Sequence, residues 1–133
     1  RRRWMVATCR RGTGGGDRTR RLGWLFFFSD TATTEKGTEL IQVLVPCTIP
    51  AQHQEQALKV YRELIEATRR EAGCRSYDLH REMDDETRFM LIEEWDSQEH
   101  LDAHTQTEHF VRLVGELEKL EYAEPAVRLT KLI

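Results

Sequence analysis

The stretch EEWDSQEHLDAHTQTEHF, Glu93 to Phe110, carries three of the five histidines in a chain of 133 residues. His100, His104 and His109 follow a strand-like run that ends in Glu93, Glu94 and Trp95. Imidazoles close to carboxylates support metal ligation, proton transfer near neutral pH, or plain helix capping. Spacing weighs against metal. His100 and His104 stand four apart on one helical face, but HLDAH lacks the second-position Glu of HExxH zinc sites. No cysteine or further carboxylate stands at a typical ligand interval, so no metal is expected.

Each histidine also has a structural reading. His100 would face solvent. His104 would end a short helix, where a cation suits the dipole, and His109 would begin the next, where the neutral ring is favoured. The helix from Ser97 must bury Leu101, and His104, three residues on, shares that face. His104 is therefore expected to point inward and His100 less so. His104→Ala should then impair turnover more than His100→Ala, with stability little changed in either.

Glu93 and Trp95 are two apart on a strand and share one sheet face with Phe89 and Leu91. Trp95 reads first as core, because an indole contributes large burial wherever it sits. Glu93 is harder to dismiss, since a carboxylate on an apolar face must be paired or have its pKa shifted. Glu94 points the other way, to solvent or an interface.

The elements that must hold these residues follow from periodicity. Leu40–Ile49 is apolar and β-branched and stops at Pro50, as a strand does. Ala57, Leu58, Tyr61, Leu64, Ile65 and Thr68 fall at helical spacing, and Gly73 suits the C′ position of that helix. CRSYDLHREM reads as a half-buried strand with Tyr77 and Leu79 on one side. Asp84–Thr87 is a hairpin turn, and RFMLIEEWD returns as the next strand. Ser97 caps a short helix. Thr105 or Thr107 restarts one, with Thr105-x-x-Glu108 as a capping box and Phe110, Leu113, Val114, Leu117 and Leu120 as its stripe. After Pro125, AVRLTKLI reads as a last strand. The order β-α-β-β-α-β is the ferredoxin-like split βαβ arrangement, an α+β fold on an antiparallel sheet. Nothing in the chain covers the second sheet face, so a homodimer through that face is expected.

Composition sets the boundary. Residues 1–38 net +6 and hold six of the eight glycines, whereas 39–133 net −9. The domain is read as 39–133 and the first 38 residues as a disordered or non-native tail. Arg20–Arg21 before Trp24–Phe28 invites an export reading, but that apolar run is shorter than the roughly 7–15 residues of a secretory h-region. A basic arm for nucleic acid lacks any recognition module. FFFSDTATTE resembles translated sequencing-adapter runs. Neither nucleic acid nor membrane is an expected partner. Cys9, Cys47 and Cys74, odd in number and without motif spacing, read as free thiols of a reducing, cytoplasmic compartment.

On these residues the chain resembles the antibiotic biosynthesis monooxygenase family. The resemblance rests on Arg88, Phe89, Glu93, Trp95, Ser97, His104, Thr107, His109 and Phe110, together with the Gly73–Leu79 stretch. It implies a dimeric α+β barrel. Several members oxidise quinols or polyketide phenols with O2 and no metal or flavin; others degrade haem, and close relatives process a phosphorylated signal. The haem-degrading branch uses an Asn on the first strand and a Trp where His104 stands, and this chain contains no Asn. The resemblance thus implies a small oxygenase without a cofactor, acting with O2 on a quinol-like or polyhydroxylated aromatic. His104 would be the base and His109 or Tyr77 its hydrogen-bonding partner. Glu93 completes the catalytic set, and Trp95, Tyr77, Phe89 and Phe110 would line the substrate pocket. Isomerase or lyase work on a small carbonyl compound would use the same histidines. The alternative from another class is a binding or stress-response dimer with its interior filled by side chains.

Overall fold

A computed structural model of the chain describes residues 39–133 and, ahead of them, the backbone of β1 (Trp4–Val6) and β2 (Phe26–Phe28), paired antiparallel. The remainder of the expected tail, with Arg20–Arg21 and Cys9, lies outside the described residues. Among those described, no helix is long and apolar enough to cross a membrane.

Five strands form one antiparallel sheet: β3 (Ile41–Thr48), β4 (Cys74–Arg81), β5 (Arg88–Trp95), β6 (Tyr122–Ala123) and β7 (Val127–Thr130). The order is β4-β5-β3, with β6 and β7 end to end along the free side of β3. Two prolines explain that interruption. In an antiparallel strand the N–H and C=O of one residue face the same neighbour. The Pro46 carbonyl accepts from Glu124 N at 2.8 Å, so its missing donor also faces the β6–β7 side. The gap opens there, beside Pro125, and a proline is tolerated within the inner strand.

Burial alternates strictly along β3 and β5. Ile41, Val43, Val45 and Cys47, with Phe89, Leu91, Glu93 and Trp95, face the helices. Helix α1 (Gln54–Thr68) buries Ala57, Val60, Tyr61 and Leu64 against them, after a 3-10 turn at Ala51–His53. The second helical segment is two helices, α2 (Gln98–Thr105) and α3 (Glu108–Leu117). On the opposite sheet face Leu44, Pro46, Met90 and Ile92 are half-buried, while Val127 and Leu129 at the edge are exposed.

Two local expectations need correction. Gly73 is not the C′ residue of α1, which ends at Thr68 with Arg69 as its cap. Turns follow through Glu71, and Gly73 (φ +81°) instead bends the chain into β4, its carbonyl accepting from Asp96 N at 2.8 Å. The second correction concerns the capping box. Thr107, not Thr105, caps α3, its hydroxyl accepting from Phe110 N at 3.3 Å. The Thr105 hydroxyl donates back to the Asp102 carbonyl, because Thr105 still belongs to α2. Ser97 caps α2 as expected, accepting from His100 N.

Candidate active site around His104

Three elements converge on one imidazole. Strand β5 supplies Glu93 and Trp95 on its buried face, and β4 sets Tyr77 directly opposite Glu93 in register. Helix α2 brings in His104 at its last turn, on the same side as Leu101, and both are 1% exposed. Helix α3 opens with His109 and Phe110. The His104 ring lies 4.7 Å from Trp95, 4.8 Å from Phe110 and 5.3 Å from Tyr77, centroid to centroid. Trp95 Nε1 donates to Glu93 Oε1 at 3.0 Å.

A further residue, which spacing did not reveal, organises the histidines. Glu71 Oε2 lies 2.7 Å from His104 Nδ1 and 2.8 Å from His109 Nε2. Burial alone would raise the Glu71 carboxyl, but the hydrogen bonds and charge of His104 and His109 outweigh it, and its pKa is lowered. An ionised carboxylate only accepts, so both imidazole nitrogens facing it must be donors. When the ring is neutral, His104 therefore carries its proton on Nδ1, which leaves a lone pair on Nε2. That Nε2 is buried and has no protein partner among the described residues; neither has the hydroxyl of Tyr77, whose ring centroid lies 5.3 Å from that of His104. A carboxylate, an imidazole and an unpartnered Nε2 in this order can act as an oriented general base.

Glu93 behaves as its position requires. Burial raises its pKa, with the His104 charge and the Trp95 hydrogen bond opposing the rise and the Glu71 charge adding to it. Burial, then the charges of Glu93 and Glu71, push the Tyr77 phenol well above its usual range.

The structure brings His104, His109, Glu93, Trp95, Tyr77 and Phe110 together. Phe89 stands apart: it shares the buried face of β5 but lies four residues from Glu93, about 13 Å along an extended strand, opposite Cys47 and Arg81. His100 also stands apart, its Nδ1 2.7 Å from the Ser97 hydroxyl. Complete burial of His104 corrects the expectation of little stability change in His104→Ala, because truncation there leaves a cavity. Among the described residues, the donor atoms of Glu71, His104 and His109 lie within 4.8 Å of one another.

Comparison with known proteins agrees with the residue pattern. The family profile described as Antibiotic biosynthesis monooxygenase matches residues 40–116. The Bacillus subtilis (strain 168) protein named "Putative monooxygenase YcnE" is 27% identical over 84 residues, 63% of this chain and 88% of its own. A crystal structure of an antibiotic biosynthesis monooxygenase is 33% identical, with a TM-score of 0.61 over 70% of this chain and 97% of that one. SnoaB, a cofactor-independent oxygenase from Streptomyces nogalater, shares the fold at 17% identity, with a TM-score of 0.65 over 71% of this chain and 95% of that one.

Proposed function

The chain belongs to the antibiotic biosynthesis monooxygenase family, and from that premise we propose that it oxidises a quinol-like or polyhydroxylated aromatic with O2, without a resident metal or flavin, using His104 as base. One observation carries the reading: His104 is held by Glu71 through Nδ1, while its buried Nε2 is left unpartnered among aromatic rings. The phenolic proton moves to Nε2, and the imidazolium is stabilised by the Glu71 carboxylate. The resulting phenolate is electron-rich and reduces O2 in one-electron steps. A ring carbon forms a C–O bond, the O–O bond breaks, one oxygen stays in the quinone and the other leaves as water. The Tyr77 hydroxyl, buried and unpartnered among the described residues on a ring 5.3 Å from that of His104, is the donor that holds the substrate oxyanion. SnoaB, of the same fold, is a cofactor-independent oxygenase.

A second reading has its own support. The rings of Trp95, Phe110 and Tyr77 pack directly on His104, as in a filled interior that binds without chemistry. A ring-sized substrate must displace one of them. In both readings the half-buried apolar face of β3 and β5 is covered by a second copy of the chain, the occupant of matching chemistry that is always present. O2 uptake by chelator-treated protein with a panel of quinols separates the readings. Consumption matched by quinone formation supports the oxygenase; silence across the panel, with saturable quinol binding, supports the binding dimer.

A further inference from the structure

We infer that Glu71, His104 and His109 form a site for a divalent transition ion such as Zn2+, and that occupancy switches the enzyme off. The expectation of no metal rested on the sequence offering no carboxylate at ligand spacing. The fold supplies one from 33 residues upstream of His104, in the turns between α1 and β4. Two imidazole nitrogens and one carboxylate oxygen now converge within 4.8 Å of one another. Such a donor set suits zinc, and three protein ligands leave one coordination position for water. Bonds of roughly 2.1 Å in a tetrahedral centre put neighbouring donors about 3.4 Å apart. The present 2.7 and 2.8 Å contacts with Glu71 therefore need to open by about 0.6–0.7 Å, and the two imidazole nitrogens, within 4.8 Å of each other, to close by up to about 1.4 Å. His109, with 22% of its side chain exposed at the start of α3, gives both the freedom to move and the route in from solvent.

The consequence lies in the His104 tautomer. Ligation through Nδ1 requires the lone pair there, so the ring proton moves to Nε2. Each ring stays neutral and keeps one proton. The buried Nε2 changes from acceptor to donor, and the base of the oxygenase reading is lost. The ion is held at Nδ1, so it is not coordinated to a substrate held at Nε2. Metal on these ligands is thus inhibitory rather than catalytic. The inhibition arm rests on the base assignment above; the binding arm does not.

The test uses the full chain, stripped with chelator and titrated with zinc sulfate against a chromophoric competitor. One Zn2+ per chain is expected, lost in both His109→Ala and Glu71→Gln. Co2+ in place of zinc should give d–d absorption without a thiolate charge-transfer band, which separates this site from Cys74. Nitrogen-15 NMR of the histidines should show the His104 proton on Nδ1 before zinc and on Nε2 after it. With an active quinol, one equivalent should abolish most turnover and EDTA should restore it. Absence of stoichiometric binding, or binding retained in both variants, overturns the site. Binding that leaves turnover unchanged overturns the switch, and binding that raises turnover overturns the base assignment too.

Discussion

Replacing Gly73 with alanine tests the geometry that sets Glu71 in place. At φ +81° an alanine Cβ would stand 2.2, 2.4 and 2.6 Å from Cγ, Cδ2 and Cβ of His100. The last of these is close to the α2 backbone, so a side-chain rotation alone cannot clear it. Two costs combine. The left-handed conformation costs an L-residue roughly 1–2 kcal/mol. Displacing His100 also disturbs its contacts with Ser97, and loss of a helix cap is worth about 1 kcal/mol. Together they predict about 2–3 kcal/mol off the unfolding free energy, or roughly 8–12 °C in Tm. Urea melts of wild type, Gly73→Ala, His100→Ala and the double variant would measure it. In the His100→Ala background the ring contacts at 2.2 and 2.4 Å are gone but the 2.6 Å contact with Cβ stays, so the cost of Gly73→Ala should fall while remaining above the backbone cost of about 1–2 kcal/mol. A cost for Gly73→Ala below about 0.5 kcal/mol, or the same cost in both backgrounds, would refute the reasoning.

Other substitutions follow from the same coordinates. Gly115→Ala, inside α3 with nothing within 4 Å of the added Cβ, should stabilise by about 0.5–1 kcal/mol in the same melts. Glu93 has a raised pKa, so folding takes up a proton and stability falls as pH climbs from the ordinary carboxylate range to the folded pKa. Glu93→Gln should therefore be more stable than wild type at neutral pH and flatten that limb of the stability profile; an unchanged profile would remove the buried-carboxylate argument. The proposed homodimer should appear as twice the chain mass in light scattering at micromolar concentration, and Ile92→Lys on the open face should yield a monomer. A wild-type monomer would contradict the covering argument.

The strands were legible because one face of each is buried, so period-two alternation runs unbroken through β3 and β5. The inward turn of His104 was legible for the same kind of reason, since Leu101 fixes the face of α2. Glu71 was not. Its partners are 33 and 38 residues away, and only the fold's return from α1 into β4 brings them together. Gly73 was misplaced because a glycine after a helical pattern has the same sequence signature whether it ends the helix or bends the chain toward the next strand. Thr105 and Thr107 both precede a helical run, and only the hydrogen bonds distinguish the end of α2 from the cap of α3. Phe89 shares a face with Glu93, but a shared face does not imply a shared site across four residues of extended chain.

The most direct test of the account compares His104→Gln with His100→Ala in O2 uptake on an active quinol, in chelator-treated protein at a temperature where both variants are folded by urea melt. Glutamine approximates the buried volume but cannot serve as base. His104→Gln should lose about 10²–10⁴ in kcat/KM, the usual worth of a general base, while His100→Ala stays within a few-fold of wild type. Equal loss in both variants, or full turnover in His104→Gln, would contradict His104 as the base.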